Sequence, residues 1–335
     1  MTKRHTALTS RIPAGCAVAR RALIISRMIK KFLWLTSLVL GIAICLAAQL
    51  NQRAPGPPMP PAPASPETPD TVSVQKDVQY GTQGGDKLLL DIYQPGDLGA
   101  RPRPAIVLVH GGGWTSFDKS TMRGMADFLA RSGFVAVSVD YRLFHGNENR
   151  WPAQLDDVQR AVRWLRANAA KYNIDANHIG AFGHSAGAQL AALLGMEDTR
   201  DNSDPALARY SSRVQAVVDV SGPSDFTTDH DPEGDAQLTE FLGGDYSTAP
   251  EAWQNASPVF HVAKSNAPFL IVHGTRDQMV PIAQAQELYD KLKQAGANVS
   301  FVKIDDVHTF QTPGARRRLA LETQAFFNRY LVVNR

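Results

Sequence analysis

A pentapeptide of small residues in the middle of the chain has the composition and the setting of a nucleophilic serine. Gly183-His184-Ser185-Ala186-Gly187 follows an apolar run, Ile179 to Phe182, that predicts a strand, and it precedes a helix-forming run, Ala188 to Leu194. A serine that projects from so sharp a turn takes a strained backbone, and the two glycines remove Cβ atoms that would clash. The turn also directs N–H groups of the following helix toward the serine. We therefore predict that Ser185 is a nucleophile and that the Ala186 N–H binds an oxyanion, with an ordinary loop as the alternative.

A second motif, His110-Gly111-Gly112-Gly113-Trp114, directly follows the apolar run Ile106–Val109. Three glycines let the backbone approach a bound group closely and turn its N–H groups inward. Ligands bind at the carboxyl ends of strands in an open α/β sheet, which is where this motif would lie. We predict that the N–H groups of Gly112 and Gly113 join that of Ala186 in an oxyanion hole, with a flexible turn as the alternative.

Candidates for an acid and a base follow two later predicted strands. Asp277 comes shortly after the apolar run Phe269–Val272, and His308 lies between the last predicted strand and the last predicted helix. A carboxylate placed like Asp277 can orient a histidine and stabilise its imidazolium. Asp225, which follows the predicted strand Val214–Val220, is the alternative acid. The chain order Ser185, Asp277, His308 is that of one particular fold that carries this triad.

Strands and helices alternate along the chain from Thr71 onward and would position these residues. Val72–Tyr80 and Lys87–Tyr93 predict an initial antiparallel pair. Apolar runs of the kind found in a buried parallel sheet are Ile106–Val109, Phe134–Val139, Val214–Val220 and Phe269–Val272. Helices are predicted over Met122–Arg131, Gln154–Ala170, Ile282–Ala295 and Arg316–Val332. Alternation over about 250 residues predicts an α/β protein with a doubly wound, mostly parallel sheet.

Two groups of charged residues are predicted to have structural roles. In the helix Gln154–Ala170, Leu155 and its apolar neighbours share one face, while Asp157, Arg160 and Arg163 are expected to be more exposed. Asp140 and Arg142 are predicted to form an ion pair that braces the loop beside the oxyanion hole.

Composition restricts the class of protein. Eight of the 35 Lys and Arg residues lie in the first 50 positions, which contain no Asp or Glu. The remaining 285 residues therefore carry 27 basic and 32 acidic side chains, a balance that argues against a nucleic-acid partner. Both cysteines, Cys16 and Cys45, also lie in the first 50 residues, so the rest of the chain offers no disulfide and no cysteine metal ligand.

The N-terminal region predicts export. Residues 1–31 form a basic leader, and residues 32–50, FLWLTSLVLGIAICLAAQL, run without a charge for long enough to span a membrane as a helix. This segment is predicted to be a retained transmembrane signal-anchor, with a cleaved signal peptide, and so a secreted protein, as the alternative. Met28 is an alternative start to Met1. Residues 51–71 are a proline-rich linker, and residues 72–335 are the predicted catalytic domain on the extracytoplasmic side.

Together these motifs resemble the α/β-hydrolases of the hormone-sensitive-lipase-like esterase group, through HGGGW, VDYRL (139–143) and GHSAG. The stretches from Gly112 to Leu143 and from Trp151 to Leu194 are similar to the acetyl-xylan/feruloyl esterase-like, or BD-FAE, branch, and the resemblance covers about residues 74–333. It implies an eight-stranded sheet with a short cap, which we place at Pro223–Val262. The sequence departs from the group's pattern at Ala188, at Thr309 and in the loop after Arg142. None of these departures touches the triad, and only the loop after Arg142 is expected to line the pocket.

The resemblance also implies roles for the candidate residues. Ser185 would be the nucleophile, His308 the base and Asp277 its partner, with Gly112, Gly113 and Ala186 as the oxyanion hole. Substrate contacts are predicted for three aromatic residues, Trp114, Tyr141 and Trp253. The expected activity is that of a serine carboxylic-ester hydrolase acting on short-acyl or carbohydrate-linked esters without a metal or organic cofactor. The alternatives are a serine peptidase of the prolyl-oligopeptidase type and an inactive, exported binding protein.

Overall fold

Eight strands form one sheet in the computed structural model, which describes residues 71–97, 99–200, 203–228 and 232–332. In chain order they are β1 (Val72–Gln83), β2 (Asp86–Pro95), β3 (Arg103–Val109), β4 (Val135–Val139), β5 (Ile174–His184), β6 (Ala216–Val220), β7 (Phe269–Gly274) and β8 (Val299–Ile304). Their order across the sheet is β1-β2-β4-β3-β5-β6-β7-β8, and β3 to β8 run parallel to one another. The predicted mostly parallel, eight-stranded sheet and its initial antiparallel pair are confirmed.

Helices cover both faces of the sheet. They are α1 (Arg123–Arg131), α2 (Ala153–Ala167), α3 (Ala186–Met196), α4 (Pro232–Leu242), α5 (Pro250–Ala256), α6 (Ile282–Gln294) and α7 (Pro313–Leu331). Apolar residues of α2, α3 and α6 pack in one buried cluster, and those of α1 and α7 pack in another on the opposite side. Both faces of the central strands are therefore buried, which explains their continuous apolar runs.

The register of the central strands brings the two glycine motifs together. Val109 at the end of β3 pairs with Gly183 near the end of β5, and Gly183 pairs with Asp219 of β6. Because parallel strands end at the same edge, the loops after β3, β5, β7 and β8 all leave the sheet on one side. This edge carries every residue that the sequence predicted to do chemistry.

Two helices of the predicted cap, α4 and α5, lie in the connection between β6 and β7. They do not stand apart from the sheet, because Phe241 and Trp253 are buried in the same cluster as Leu190 of α3. Phe226, from the start of this connection, joins that cluster as well. The cap is thus part of the core on the side of the sheet that α3 covers.

The predicted ion pair between Asp140 and Arg142 is wrong. Asp140 instead accepts hydrogen bonds from the N–H and the Nζ of Lys119, at 2.7 and 3.1 Å. Arg142 binds Asp157 with Nε and Nη2, at 2.9 and 2.8 Å. Each charge has a partner far away in the sequence, and the two pairs tie the loop after β4 to two different elements.

The prediction that α2 has an exposed charged face is also wrong. Asp157, Arg160 and Arg163 are 0%, 8% and 2% exposed. Arg163 donates from Nε to the carbonyl oxygens of Leu207 and Tyr210, so the segment before β6 covers this face of the helix.

The predicted leader, membrane segment and most of the linker, residues 1–70, lie outside the described residues. Within the part of the chain that the structure describes, every helix is too short or too polar to cross a membrane.

Candidate active site

Ser185 lies in the sharp turn between β5 and α3, with φ 55° and ψ −125°. The flanking glycines are required sterically. A Cβ on Gly183 would lie 2.1 Å from the Gly187 carbonyl oxygen, and a Cβ on Gly187 would lie 2.3 Å from that of His110. The strained turn expected from the sequence is therefore present, and the close approach explains both glycines.

The peptide planes of the glycine loop after β3 are held by hydrogen bonds to their carbonyl groups. The Gly111 carbonyl accepts from Nδ1 of His110 at 2.7 Å and from the Tyr141 hydroxyl at 3.4 Å. The Gly112 carbonyl accepts from the N–H groups of Thr115 and Ser116, both at 3.1 Å. In a trans peptide the next N–H points opposite to the carbonyl, so these bonds fix the direction of the Gly112 and Gly113 N–H groups.

Three N–H groups at this edge are available to a ligand. Those of Gly112, Gly113 and Ala186 donate to no protein acceptor within the described residues. Gly112 and Gly113 have φ values of 106° and 58°, which glycine adopts readily. Ala186 is the first residue of α3, where N–H groups have no partner inside the helix and the helix dipole favours negative charge.

His308 and Asp277 are hydrogen-bonded to each other, at 2.7 Å between Nδ1 and Oδ2. The second oxygen of Asp277, Oδ1, accepts from the N–H groups of Met279 and Val280 at 2.9 and 3.0 Å. Burial alone would raise the pKa of Asp277, but hydrogen bonds from His273, His308 and Val280 outweigh it and hold this pKa well below its usual range. Asp277 is therefore an ionised carboxylate.

The Nε2 atom of His308 is buried and has no hydrogen-bond partner within the described residues. The loop that carries it is held in place by Asp306, whose carboxylate accepts from the N–H groups of Val307, Gln311 and Thr312. His184, the neighbour of Ser185, donates from Nε2 to the His308 carbonyl at 3.0 Å. The serine turn and the histidine loop are thus joined directly, while Nε2 of His308 remains without a partner among the described residues.

Asp225, the alternative acid, faces other partners. Its Oδ1 accepts from the N–H and the hydroxyl of Thr227, at 2.7 and 2.6 Å. Its own N–H and carbonyl group bond to the side chain of Gln284. Asp225 therefore stabilises the start of the cap connection, and Asp277 is the carboxylate in contact with His308.

The three aromatic residues predicted to contact substrate are buried, with Trp114 6% and Tyr141 and Trp253 each 3% exposed. Trp114 donates to Oε1 of Gln189 at 3.1 Å and stacks on Phe241 of the cap. Trp253 donates to the Gly244 carbonyl at 2.9 Å. The contacts observed for all three are with protein groups, and their contact with substrate stays a prediction.

Sequence reasoning missed two residues that support the glycine loop. Gln237 of α4 donates to the Gly113 carbonyl at 2.8 Å, which links the cap to the glycine loop after β3. Gln189 of α3 links Trp114 to the Ala256 carbonyl in the cap. Glutamines at these positions carry no distinctive sequence signal, because their partners are backbone groups or lie far away in the chain. Within the described residues, His, Cys, Asp and Glu side chains do not group in a way that could hold a metal ion.

This fold and this edge of the sheet define the chain as an α/β-hydrolase. Residues 90–292 match the BD-FAE family, and the chain belongs to that family.

Relatives and solved structures agree with this assignment. The chain is 34% identical to esterase LipC of Mycobacterium tuberculosis over 213 residues, or 61% of this chain and 52% of LipC. It is 33% identical to the probable carboxylic ester hydrolase LipM of the same organism over 227 residues, or 65% of this chain and 51% of LipM. The chain thus spans about half the length of these relatives.

Two solved structures have the same fold. Esterase Est2 of Thermogutta terrifontis with bound butyrate matches with a TM-score of 0.67 and 27% identity, over 80% of this chain and 95% of that one. A truncated carbohydrate esterase from gut microbiota matches with a TM-score of 0.65 and 28% identity, over 78% of this chain and 97% of that one.

Proposed function

We propose that this protein hydrolyses carboxylic esters with Ser185 as nucleophile, His308 as general base and Asp277 as the partner of His308. The observation that carries the proposal is the hydrogen bond of 2.7 Å between Nδ1 of His308 and Oδ2 of Asp277. A hydrogen bond to a carboxylate needs a hydrogen on Nδ1, which supports Nε2 of His308 as the basic atom at the edge of the sheet where Ser185 lies. The esterase names of the relatives support the same reaction class.

The reaction proceeds in two halves. Nε2 of His308 takes the proton of the Ser185 hydroxyl as Oγ attacks the ester carbonyl carbon. The tetrahedral intermediate collapses, the bond to the alcohol oxygen breaks, and His308 returns the proton to the leaving alcohol. Water then repeats the sequence on the acyl-enzyme, which releases the acid and restores Ser185.

The oxyanion of each tetrahedral intermediate is bound by the N–H groups of Gly112, Gly113 and Ala186. Their peptide planes are fixed before substrate arrives, so little reorganisation is needed when negative charge develops. Asp277 stays ionised and stabilises the imidazolium form of His308.

We propose short-acyl or carbohydrate-linked esters as the substrates. Butyrate bound to the Thermogutta esterase and the carbohydrate esterase from gut microbiota represent the two possibilities among similar structures. We also propose that residues 32–50 direct export, which would give the enzyme access to esters outside the cytoplasm. Mass spectrometry of the mature N-terminus tests whether this segment is cleaved.

The first experiment compares wild-type protein with Ser185→Ala on p-nitrophenyl acetate. Turnover is expected to fall to background while the circular dichroism spectrum is unchanged, and reaction with a fluorophosphonate probe is expected to disappear. Ser221→Ala is the matched control, because Ser221 also directly follows a strand end, is buried, and has a hydroxyl without a partner in the described part of the chain. Undiminished turnover by Ser185→Ala would refute the assignment.

A second experiment identifies the substrate class. Wild-type protein is assayed on p-nitrophenyl esters from acetyl to decanoyl, with acetylated xylan and methyl ferulate in parallel. Release of acetate from xylan together with a sharp preference for acetyl would establish a carbohydrate esterase, and a preference for butyryl to octanoyl with xylan untouched would establish a general carboxylesterase. Faster cleavage of aminoacyl-proline amides than of any ester would favour a peptidase.

A further inference from the structure

The carboxylate of Asp277 contacts a second histidine. Oδ2 of Asp277 lies 2.7 Å from Nδ1 of His308 and 3.1 Å from Nε2 of His273, on β7. The His273 side chain is 0% exposed. One carboxylate oxygen therefore lies between two imidazole rings, although the reaction described above uses only one of them.

The surroundings of His273 determine which of its nitrogens carries the hydrogen. Besides Asp277, Nε2 faces the Val280 carbonyl at 2.9 Å. Both neighbours are acceptors, so Nε2 must be the donor. Nδ1 is buried and has no hydrogen-bond partner in the described residues, as expected for the nitrogen without a hydrogen.

We propose that His273 is a positioning residue for Asp277, which holds the carboxylate toward His308 and shares its negative charge by donating from Nε2 to Oδ2. This inference deepens the proposed function and rests on it. With Met279 and Val280 holding Oδ1 and His273 holding Oδ2, the carboxylate cannot rotate away from His308 without losing several donors. The donor on Oδ2 also weakens the pull of Asp277 on the imidazolium of His308.

Other charged groups face this cluster and belong in any account of its pH dependence. Asp277 interacts with His308, with His273 and with His184 at the end of β5. His273 interacts also with Asp219, a buried carboxyl group on β6, the strand next to β7. Asp219 is therefore the group whose titration must be separated from the effect of His273.

Two substitutions distinguish the donor from the bulk of the ring. His273→Phe keeps a flat ring and removes the donor, whereas His273→Gln keeps an N–H group at a similar distance from the backbone. In His273→Phe we expect kcat to fall by about ten-fold with KM unchanged, the lower end of the loss that follows removal of the hydrogen-bond partners of metal-bound histidines.

The same variant should also shift the pH profile. Without the second donor, Asp277 stabilises the imidazolium of His308 more strongly, so the acid limb of the kcat/KM profile moves to higher pH. His273→Gln should restore both kcat and the limb toward wild type. The shift should persist when both proteins also carry Asp219→Asn, which removes the titration of that group.

A measurement on the wild-type chain reads the position of the ring hydrogen directly. With ¹⁵N-labelled histidine, two-bond ¹H–¹⁵N spectra report which ring nitrogen carries hydrogen, and the signal of His273 is assigned by its loss in His273→Gln. Hydrogen on Nε2 is expected, and hydrogen on Nδ1 would overturn the proposal. Wild-type kcat and an unmoved acid limb in folded His273→Phe would overturn it as well. Failure of the proposed function would be seen separately, as undiminished ester turnover by Ser185→Ala.

Discussion

His184 donates a hydrogen bond from Nε2 to the main-chain carbonyl of His308 at 3.0 Å, with the two rings 5.0 Å apart. Burial lowers the pKa of His184 to about 4, so this residue is a neutral donor at neutral pH. The residue before the proposed nucleophile thus sets the position of the proposed base.

Loss of this donor should therefore affect the rate and not substrate binding. In His184→Phe we expect kcat to fall by about ten- to a hundred-fold with KM nearly unchanged, because small displacements of a base are costly. Steady-state kinetics on p-nitrophenyl butyrate measures both constants. His184→Gln, which keeps an N–H donor, should retain most of the activity, and wild-type kcat in His184→Phe would contradict the prediction.

Asp277→Asn should nearly abolish turnover. An amide in this place can donate to Nδ1 and leave the hydrogen on Nε2, so we expect kcat to fall by about 10⁴-fold. Asp225→Asn is the matched control, because Asp225 holds the backbone of Thr227 instead of His308. Its kcat should stay within a few-fold of wild type. Equal losses in both variants would show that the two carboxylates were assigned incorrectly.

Tyr141→Phe should lower kcat. The ring of residue 141 should still stack on His110, since the two ring centroids are 4.2 Å apart and the substitution removes only the hydroxyl. The hydroxyl donates to the carbonyl groups of His110 and Gly111, at 3.0 and 3.4 Å. Loss of the hydroxyl should make the Gly112 N–H less firmly oriented. It should lower kcat by less than the ~10²-fold that follows removal of an oxyanion donor itself. Tyr80→Phe, which loses a bond to the Asp140 carbonyl instead, controls for loss of a buried hydroxyl. Equal losses of kcat in Tyr80→Phe and Tyr141→Phe would argue against a role of the Tyr141 hydroxyl in holding the glycine loop after β3.

Asp219→Asn should stabilise the protein above about pH 6 and have little effect near pH 4. Burial raises the pKa of Asp219 to about 6, so the folded state binds more protons than the unfolded state between the two pKa values. This group therefore reduces the free energy of unfolding as pH rises through about 4 to 6, and the loss is complete above that range. Urea unfolding should show the variant more stable by about 2–3 kcal/mol at pH 8 and similar to wild type at pH 4.

The bond from the Gly222 N–H to Oδ1 of residue 219 can be kept by asparagine, so the substitution removes mainly the charge. Asp305→Asn, at a carboxylate that is 84% exposed, is the control and should change stability by less than about 1 kcal/mol. A gain for Asp219→Asn that is equal at both pH values would contradict the assigned titration.

Local patterns in the sequence were enough to predict the sheet and the loops that carry the site. The apolar run before Gly183 and the glycines around Ser185 indicate a strand and a sharp turn. A few neighbouring residues are enough for this prediction, because strands, turns and helices are local structures. The order of Ser185, Asp277 and His308 then places all three at one edge, since each follows a parallel strand.

The partners of charged residues could not be predicted in the same way. Asp140 and Arg142 are close in sequence, but their partners, Lys119 and Asp157, are brought near by the packing of other elements. The charged face of α2 appeared exposed because amphipathic patterns do not show a covering loop, here the segment that accepts from Arg163. The contact of His273 with Asp277 depends on a turn whose shape the sequence does not reveal.

The hydrogen bond from Gln237 to the Gly113 carbonyl joins the cap to the glycine loop after β3, so the two cannot move independently without breaking it. Any change in the cap that displaces α4 moves this peptide too, whichever ester is bound. Under the proposed function, we therefore expect ester selectivity and turnover rate to change together when the cap changes. We expect a redesign of the cap for bulkier esters that displaces the Gln237 amide to slow the proposed reaction for all substrates.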